Sequence, residues 1–256
     1  EAVPPAPPRG RGGPGGLRGP PPRRPAPRAA DSIWPASSLV GGLPDGCRRE
    51  LLTLGTERRF GRGHRILEEG DDSTFVVLLR AGFVKITGRL VDGRETLLAI
   101  RTRGDVVGEL AALDEHPRSG TVTASSPVEV TVITQGDFLG YLSRRPQANL
   151  ALNRMLAYRL RQANRRRLDF AGCAAPVRVA RVLLELIETY GRQRPRGWVC
   201  DVPITQHELA DLSGTSVETA QITLRRLRAA EALSTGYRRL AVHDMPALQN
   251  AALLTP

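Results

Sequence analysis

The sequence predicts an α+β chain, with strands gathered in its first half and helices in its second. Three observations carry that expectation. Short alternating apolar runs between glycines fill residues 51–133. A single helical periodicity runs from Pro146 to Phe170. Two short helical patterns joined at Gly214 then precede a hairpin-like stretch ending at Val242.

Residues 1–38 come first and differ from everything after them. They are a low-complexity Pro/Gly/Arg stretch that offers too little apolar surface to offset chain entropy, so a disordered tail is expected. Its first 30 residues carry Arg9, Arg11, Arg18, Arg23, Arg24 and Arg28 against Glu1 alone, part of a formal net charge of +11. Such an excess favours polyanionic partners without specifying a fold.

A first folded domain is expected over 39–144. Its strands are read at Phe75–Leu79, Phe83–Thr87, Thr96–Ile100 and Val128–Ile133, punctuated by Gly63, Gly70, Gly82, Gly93 and Gly104, the texture of a compact β roll. Asp92-Gly93 between apolar runs is a hairpin signal.

A long helix is expected over 145–171, with Leu150, Leu152, Met155, Leu156, Leu160 and Leu168 recurring at helical spacing beside six arginines between 154 and 167. Its apolar stripe suits packing on its own domain or on a second copy. The last domain, 172–256, opens with a helix (Val177 to Ile187) that stops near Gly191 and continues into a strand, Trp198–Val202.

Composition excludes several classes. No apolar stretch approaches the roughly 20 residues of a membrane-spanning helix, and the start of the chain lacks an apolar signal centre. A soluble, cytoplasmic chain without a membrane partner is expected. Cys47, Cys173 and Cys200 stand far apart, and His64, His116, His207 and His243 show no ligand spacing, so no metal site is expected. No nucleophile–base constellation or phosphate-binding P-loop is present, and the chain does not read as an enzyme.

Two motifs carry the function. The first is Gly108-Glu109-Leu110, followed by Pro117-Arg118-Ser119-Gly120-Thr121. A glycine turn into a short helix presents backbone N–H groups to an anion. Arg118 can fork onto a phosphate, Glu109 can accept from a sugar hydroxyl, and Ser119 can complete the cradle. The second runs from Thr205 to Leu227. Thr205 with Glu208 is a capping box, Gly214 suits a tight turn, and Thr215 or Ser216 can cap a second helix whose inward face is Ala220, Leu224 and Leu227. Two helices so joined form a DNA-reading helix-turn-helix, and Leu233 to Val242 reads as its wing, with Arg238 and Arg239 near backbone phosphates.

The first motif resembles the phosphate-binding cassette of cyclic-nucleotide-binding domains, in which a Gly-Glu-Leu turn precedes Pro-Arg-x-x-Thr. Taken in order, residues 39–250 resemble the cyclic-AMP receptor protein/fumarate-nitrate regulator (CRP/FNR) family. The resemblance implies a cyclic-nucleotide-binding β roll, a dimerisation helix and a winged helix-turn-helix. It also implies a homodimer on double-stranded DNA, cyclic AMP or a related cyclic nucleotide as effector, and RNA polymerase as a further partner. Asn164 aligns where relatives offer the purine a polar side chain, next to Ala163 where relatives commonly have a hydroxyl residue.

The recognition helix departs from the family pattern. Relatives show Ser-Arg-Glu-Thr-Val-x-Arg where this chain reads Ser216-Val217-Glu218-Thr219-Ala220-Gln221-Ile222. Glu218 and Gln221 remain as base readers, Thr219, Arg225, Arg226 and Arg238 suit phosphate contacts, and Thr205, Ser216 and Val217 complete the expected DNA-binding set. Two alternatives stay open: a regulator that needs no effector and keeps a vestigial pocket, and a nucleotide-binding signalling module whose winged domain contacts protein.

Overall fold

A computed structural model describes residues 34–236 and 239–253. The expected tail up to residue 33, and Arg238 of the wing, lie outside the described residues. Residues 34–38, assigned to the tail by composition, are packed. Ser38 is buried and its hydroxyl caps α1 (Leu39–Gly42) by accepting from Gly41 N, while Trp34 packs on the core beside it.

α1 and α2 (Asp45–Thr53) precede strands β1 (Thr56–Phe60), β2 (Arg65–Leu67), β3 (Val76–Ala81), β4 (Phe83–Arg89), β5 (Glu95–Thr102) and β6 (Val106–Val107). A short helix, α3 (Glu109–Asp114), leads into β7 (Thr121–Ala124) and β8 (Val128–Ile133). These strands form two antiparallel sheets, ordered β1-β8-β3-β6 and β2-β7-β4-β5. The Asp92-Gly93 signal marks the β4–β5 hairpin, where Gly93 takes a φ of 84° that a side chain rarely adopts. Val77, Leu79, Val84, Val122 and Val130 fill the space between the sheets. Burying each such side chain contributes about 1.5–3 kcal/mol.

α4 (Gln135–Arg144) returns the chain across β3 and is pinned by Phe138 and Tyr141. Both are fully buried, and the Tyr141 hydroxyl donates to Cys47 O at 3.0 Å. α5 (Pro146–Gly172) follows with Pro146 in its first turn, where the absent N–H costs nothing. Its first turns bury Ala148, Ala151, Leu152 and Met155 against the roll. Further along, Leu160 and Leu168 are 62% and 71% exposed in the protomer. The helix ends at Gly172, and two residues separate it from the next helix.

The C-terminal part comprises α6 (Ala175–Tyr190), β9 (Arg192–Arg194), β10 (Gly197–Cys200), α7 (Gln206–Ser213), α8 (Val217–Ala229), β11 (Leu233–Gly236), β12 (Arg239–Val242) and α9 (Met245–Leu253). The strand expected to reach Val202 ends at Cys200, where pairing with Leu240 stops. β11-β12-β10-β9 is the order of this third sheet. Arg178 on α6 ties the α5–α6 junction to the α7–α8 turn, donating to Cys173 O, Ser213 O and Gly214 O at 2.7–2.8 Å. The roll also reaches into this domain: Leu97 and Ile100 of β5 belong to the same apolar cluster as Leu183, Leu209 and Leu224.

Among the described residues no helix is long and apolar enough to cross a membrane.

Candidate functional site

The cassette sits where β6 gives way to α3. Gly108 has a φ of 78° and precedes the first residue of that helix. A Cβ there would stand 2.5 Å from Arg118 Nη1, 2.9 Å from Leu67 Cδ1 and 3.1 Å from Phe75 O. Glycine is therefore needed both for its backbone angle and for the close approach of Arg118.

Arg118 is only 3% exposed. Its Nη1 donates to Gly108 O at 2.8 Å, its Nη2 to Phe75 O at 2.7 Å and its Nε to Ser73 Oγ at 3.2 Å. The guanidinium also lies 4.8 Å from the centre of the Phe75 ring. Burial lowers its pKa from the ordinary arginine value, opposed by the carboxylates of Asp71 and Glu109. Among the described residues it makes no salt bridge, so its charge is desolvated without a contacting counter-ion. Three of its five N–H donors are taken, which leaves two.

Glu109 is 5% exposed, and its Oε1 accepts from Arg159 Nη1 at 2.6 Å. Arg159 comes from α5 and also donates through Nη2 to Val106 O at 3.0 Å, with Asp105 Oδ1 3.4 Å away. The acceptor expected to face a sugar hydroxyl is thus already held by the chain itself.

The other expected cassette residues are placed differently. The Leu110 side chain is exposed, so only its backbone can belong to the cradle, and Ser119 is exposed at the rim. Asn164 is exposed on α5. It stands five residues beyond Arg159, about 140° round the helix, so one protomer does not bring it to Glu109. It shares a stripe with Leu160 and Leu168 instead.

Arg159 was missed by motif reading. The signal lay in helical phase: Arg159 follows the buried Leu152 and Met155 at i+7 and i+4, a charge on an apolar face.

The second motif folds as its residues dictate. Thr205 Oγ1 accepts from Glu208 N at 3.2 Å while Thr205 N donates to Glu208 Oε2 at 2.8 Å, a complete capping box. Gly214 turns the chain at a φ of 57°, and a Cβ there would meet the Phe170 ring at 2.7 Å. Ser216, rather than Thr215, caps α8 by accepting from Thr219 N at 3.2 Å. Ala220, Leu224 and Leu227 are buried as the inward face.

That packing leaves Ser216, Glu218, Gln221, Arg225 and Arg226 exposed, and Thr205 exposed at the start of α7. Two residues at the start of α8 are less free. Val217 packs partly against the domain core, and the Thr219 hydroxyl lies 2.9 Å from Ser216 Oγ as part of the cap.

Comparisons with known proteins fall on the same two regions. Residues 57–145 match the cyclic nucleotide-binding domain family, and residues 177–251 match the Crp-like helix-turn-helix domain family. A CRP-like cAMP-activated global transcriptional regulator of Mycobacterium tuberculosis is 34% identical over 165 residues, covering 64% of this chain and 74% of that protein. A cyclic AMP receptor protein of Thermus thermophilus is 30% identical over 202 residues, or 78% of this chain and 90% of that one. The crystal structure of a CRP-family transcriptional regulator from Thermus thermophilus superposes with a TM-score of 0.62 at 26% identity. It covers 77% of this chain and 97% of that one. On these grounds the chain belongs to the CRP-like family of DNA-binding transcription regulators, which act as dimers, carry a cyclic-nucleotide-binding domain and are not enzymes.

Proposed function

We propose that this regulator is controlled by cyclic AMP, dimerises through α5 and engages RNA polymerase from DNA. The observation that carries the effector reading is Arg118, a buried cation without a contacting carboxylate, closed in by a glycine that tolerates no side chain. A cyclic nucleotide brings a singly charged phosphate and a ribose hydroxyl. The two remaining N–H donors of Arg118 suit the phosphate, with Ser119 closing the rim and the Leu110 backbone beside it. Glu109 accepts the hydroxyl. Asn164, on the stripe with Leu160 and Leu168, faces the dimer seam, from which its amide meets the purine edge.

On DNA, Glu218 reads cytosine N4 and Gln221 reads an adenine edge. Ser216 and Val217 frame the start of the reading helix. Thr205, Thr219, Arg225, Arg226 and Arg238 contact phosphates.

One observation favours a second reading, a regulator independent of any effector: Arg159 already satisfies Glu109 at 2.6 Å. Calorimetry with cyclic AMP and cyclic GMP separates the two. The first reading expects heat with the wild-type chain and none with Arg118→Ala or Glu109→Ala, both retaining wild-type circular dichroism. Absence of heat with either nucleotide supports the second. Selection of bound DNA from a random pool, with and without cyclic AMP, identifies the operator and tests the DNA reading. Loss of all sequence-selected binding would favour a winged domain that contacts protein.

A further inference from the structure

A buried run of alternating charges leads from the cassette to the C-terminal domain. Glu109 holds Arg159 Nη1, and Arg159 Nη2 lies 3.4 Å from Asp105 Oδ1. Asp105 is buried, and its other oxygen accepts from Thr102 N at 3.1 Å. Its charge also attracts a second guanidinium, Arg101 on β5. Arg101 Nη1 donates to Ile100 O at 2.9 Å, and the Tyr190 hydroxyl donates to the same oxygen at 2.6 Å. Arg101 and Tyr190 thus meet on one carbonyl oxygen. Tyr190 is the last residue of α6, and its ring packs edge-on to Phe83 of the roll at 6.2 Å.

This run is poised rather than saturated. Arg101 Nε is buried with no hydrogen-bond partner among the described residues. Two guanidinium groups repel across it: the Arg159 pKa is lowered first by burial and next by the charge of Arg101. Both cations feel the charges of Asp105 and Glu109, but only Arg159 touches these carboxylates. Any event that draws Glu109 away makes Arg159 lean on Asp105. Arg101 then loses counter-charge and turns further toward Ile100 O and Tyr190.

We propose that Arg101 is a positioning residue that transmits the state of Glu109, through Arg159 and Asp105, to Tyr190 and the seat of the DNA-binding domain. The relay rests on the cyclic-nucleotide reading only for what draws Glu109 away; the coupling itself belongs to the ligand-free chain.

A double-mutant cycle on the full chain tests it without ligand. Glu109→Gln and Tyr190→Phe are combined, and urea unfolding is measured with Arg101 present and again with Arg101→Met. With Arg101 present, the unfolding constant of the double variant departs from the product of the single effects by about threefold or more. With Arg101→Met the excess disappears. Additive behaviour with Arg101 present overturns the relay, and an excess surviving unchanged in Arg101→Met overturns the role of Arg101.

A second readout separates positioning from simple structure. Affinity for one fragment recovered by random-pool selection is measured with and without cyclic AMP, and the ratio falls toward one in Arg101→Met. A chain that loses stability while keeping the wild-type ratio overturns the proposal. If cyclic AMP gives no heat with the wild-type chain, the effector reading has failed, and the urea cycle alone decides the relay.

Discussion

Gly108 and Arg118 occupy one space: a Cβ on the glycine would come within 2.5 Å of the guanidinium Nη1. Gly108→Ala therefore does two things. It places a side chain at a φ of 78°, costing about 1–2 kcal/mol, and it pushes Arg118 off Gly108 O and Phe75 O. Urea unfolding should report the first effect. Calorimetry should report the second as a loss of cyclic-AMP affinity of about tenfold or more. A variant that is less stable yet binds normally would show that Arg118 does not set the pocket.

The same pair shows how much was legible beforehand. Gly108, Glu109 and Arg118 lie close together in the chain, and their spacing announced a cassette. Gly214, Thr205 and Ser216 were equally legible, because caps and turns are local chemistry. Arg159 was not singled out because its meaning comes from the tertiary fold. Six arginines between 154 and 167 look alike in composition, and only the one that follows Leu152 and Met155 in phase turns inward to Glu109. The docking of Leu97 and Ile100 into the C-terminal core was illegible for a related reason. Alternation along β5 says which residues are apolar, not which domain receives them.

Arg159 should be costly to remove. It is the contacting counter-ion of buried Glu109 and lies 3.4 Å from Asp105. Arg159→Met leaves Glu109 buried and unpaired, and breaking such a pair from one side costs about 3–5 kcal/mol. Adding Glu109→Gln removes the stranded charge, so the double variant should unfold at a higher urea concentration than Arg159→Met alone. Equal midpoints would mean that solvent or another group compensates Glu109.

Phosphate contacts and base contacts predict different losses. Arg225 is exposed on α8, past its first two turns. Arg225→Ala should weaken binding by one factor across all selected DNA sequences and reduce the slope of log affinity against log salt by about 0.9. Gln221→Ala should instead relax preference at one base pair, by about 1–3 kcal/mol. Gel shifts over a salt series, with single-base variants of the selected site, separate the two. A selective loss with Arg225→Ala would make that arginine a base reader.

Burial pushes the Cys200 thiol up to about 11 from an ordinary 9.0. The folded state thus favours the protonated thiol. This contribution to stability is complete below pH 9.0 and is lost as pH rises through about 11. At pH 8 the native chain should be alkylated by iodoacetamide first at half-buried Cys173, with buried Cys47 and Cys200 modified only on unfolding. Peptide mass spectrometry identifies the modified thiol, and rapid native modification of Cys200 would contradict its burial.

Glu208 serves two structures with its two oxygens. Oε2 accepts from Thr205 N and completes the cap of α7, while Oε1 accepts from Lys85 Nζ on β4 at 2.5 Å. Lys85 is the single lysine of the chain, and both partners of the bridge are mostly shielded from solvent. Lys85→Met removes only the link between roll and helix-turn-helix and should cost about 1–2 kcal/mol. Glu208→Ala removes the link and the cap together, so it should cost about 1 kcal/mol more. Because Nζ and Oε1 are in contact and shielded, added salt should recover little of either difference. Equal costs for the two variants in urea would mean that the capping box adds nothing once α7 is packed, and the local chemistry that made this helix legible would then not be what stabilises it.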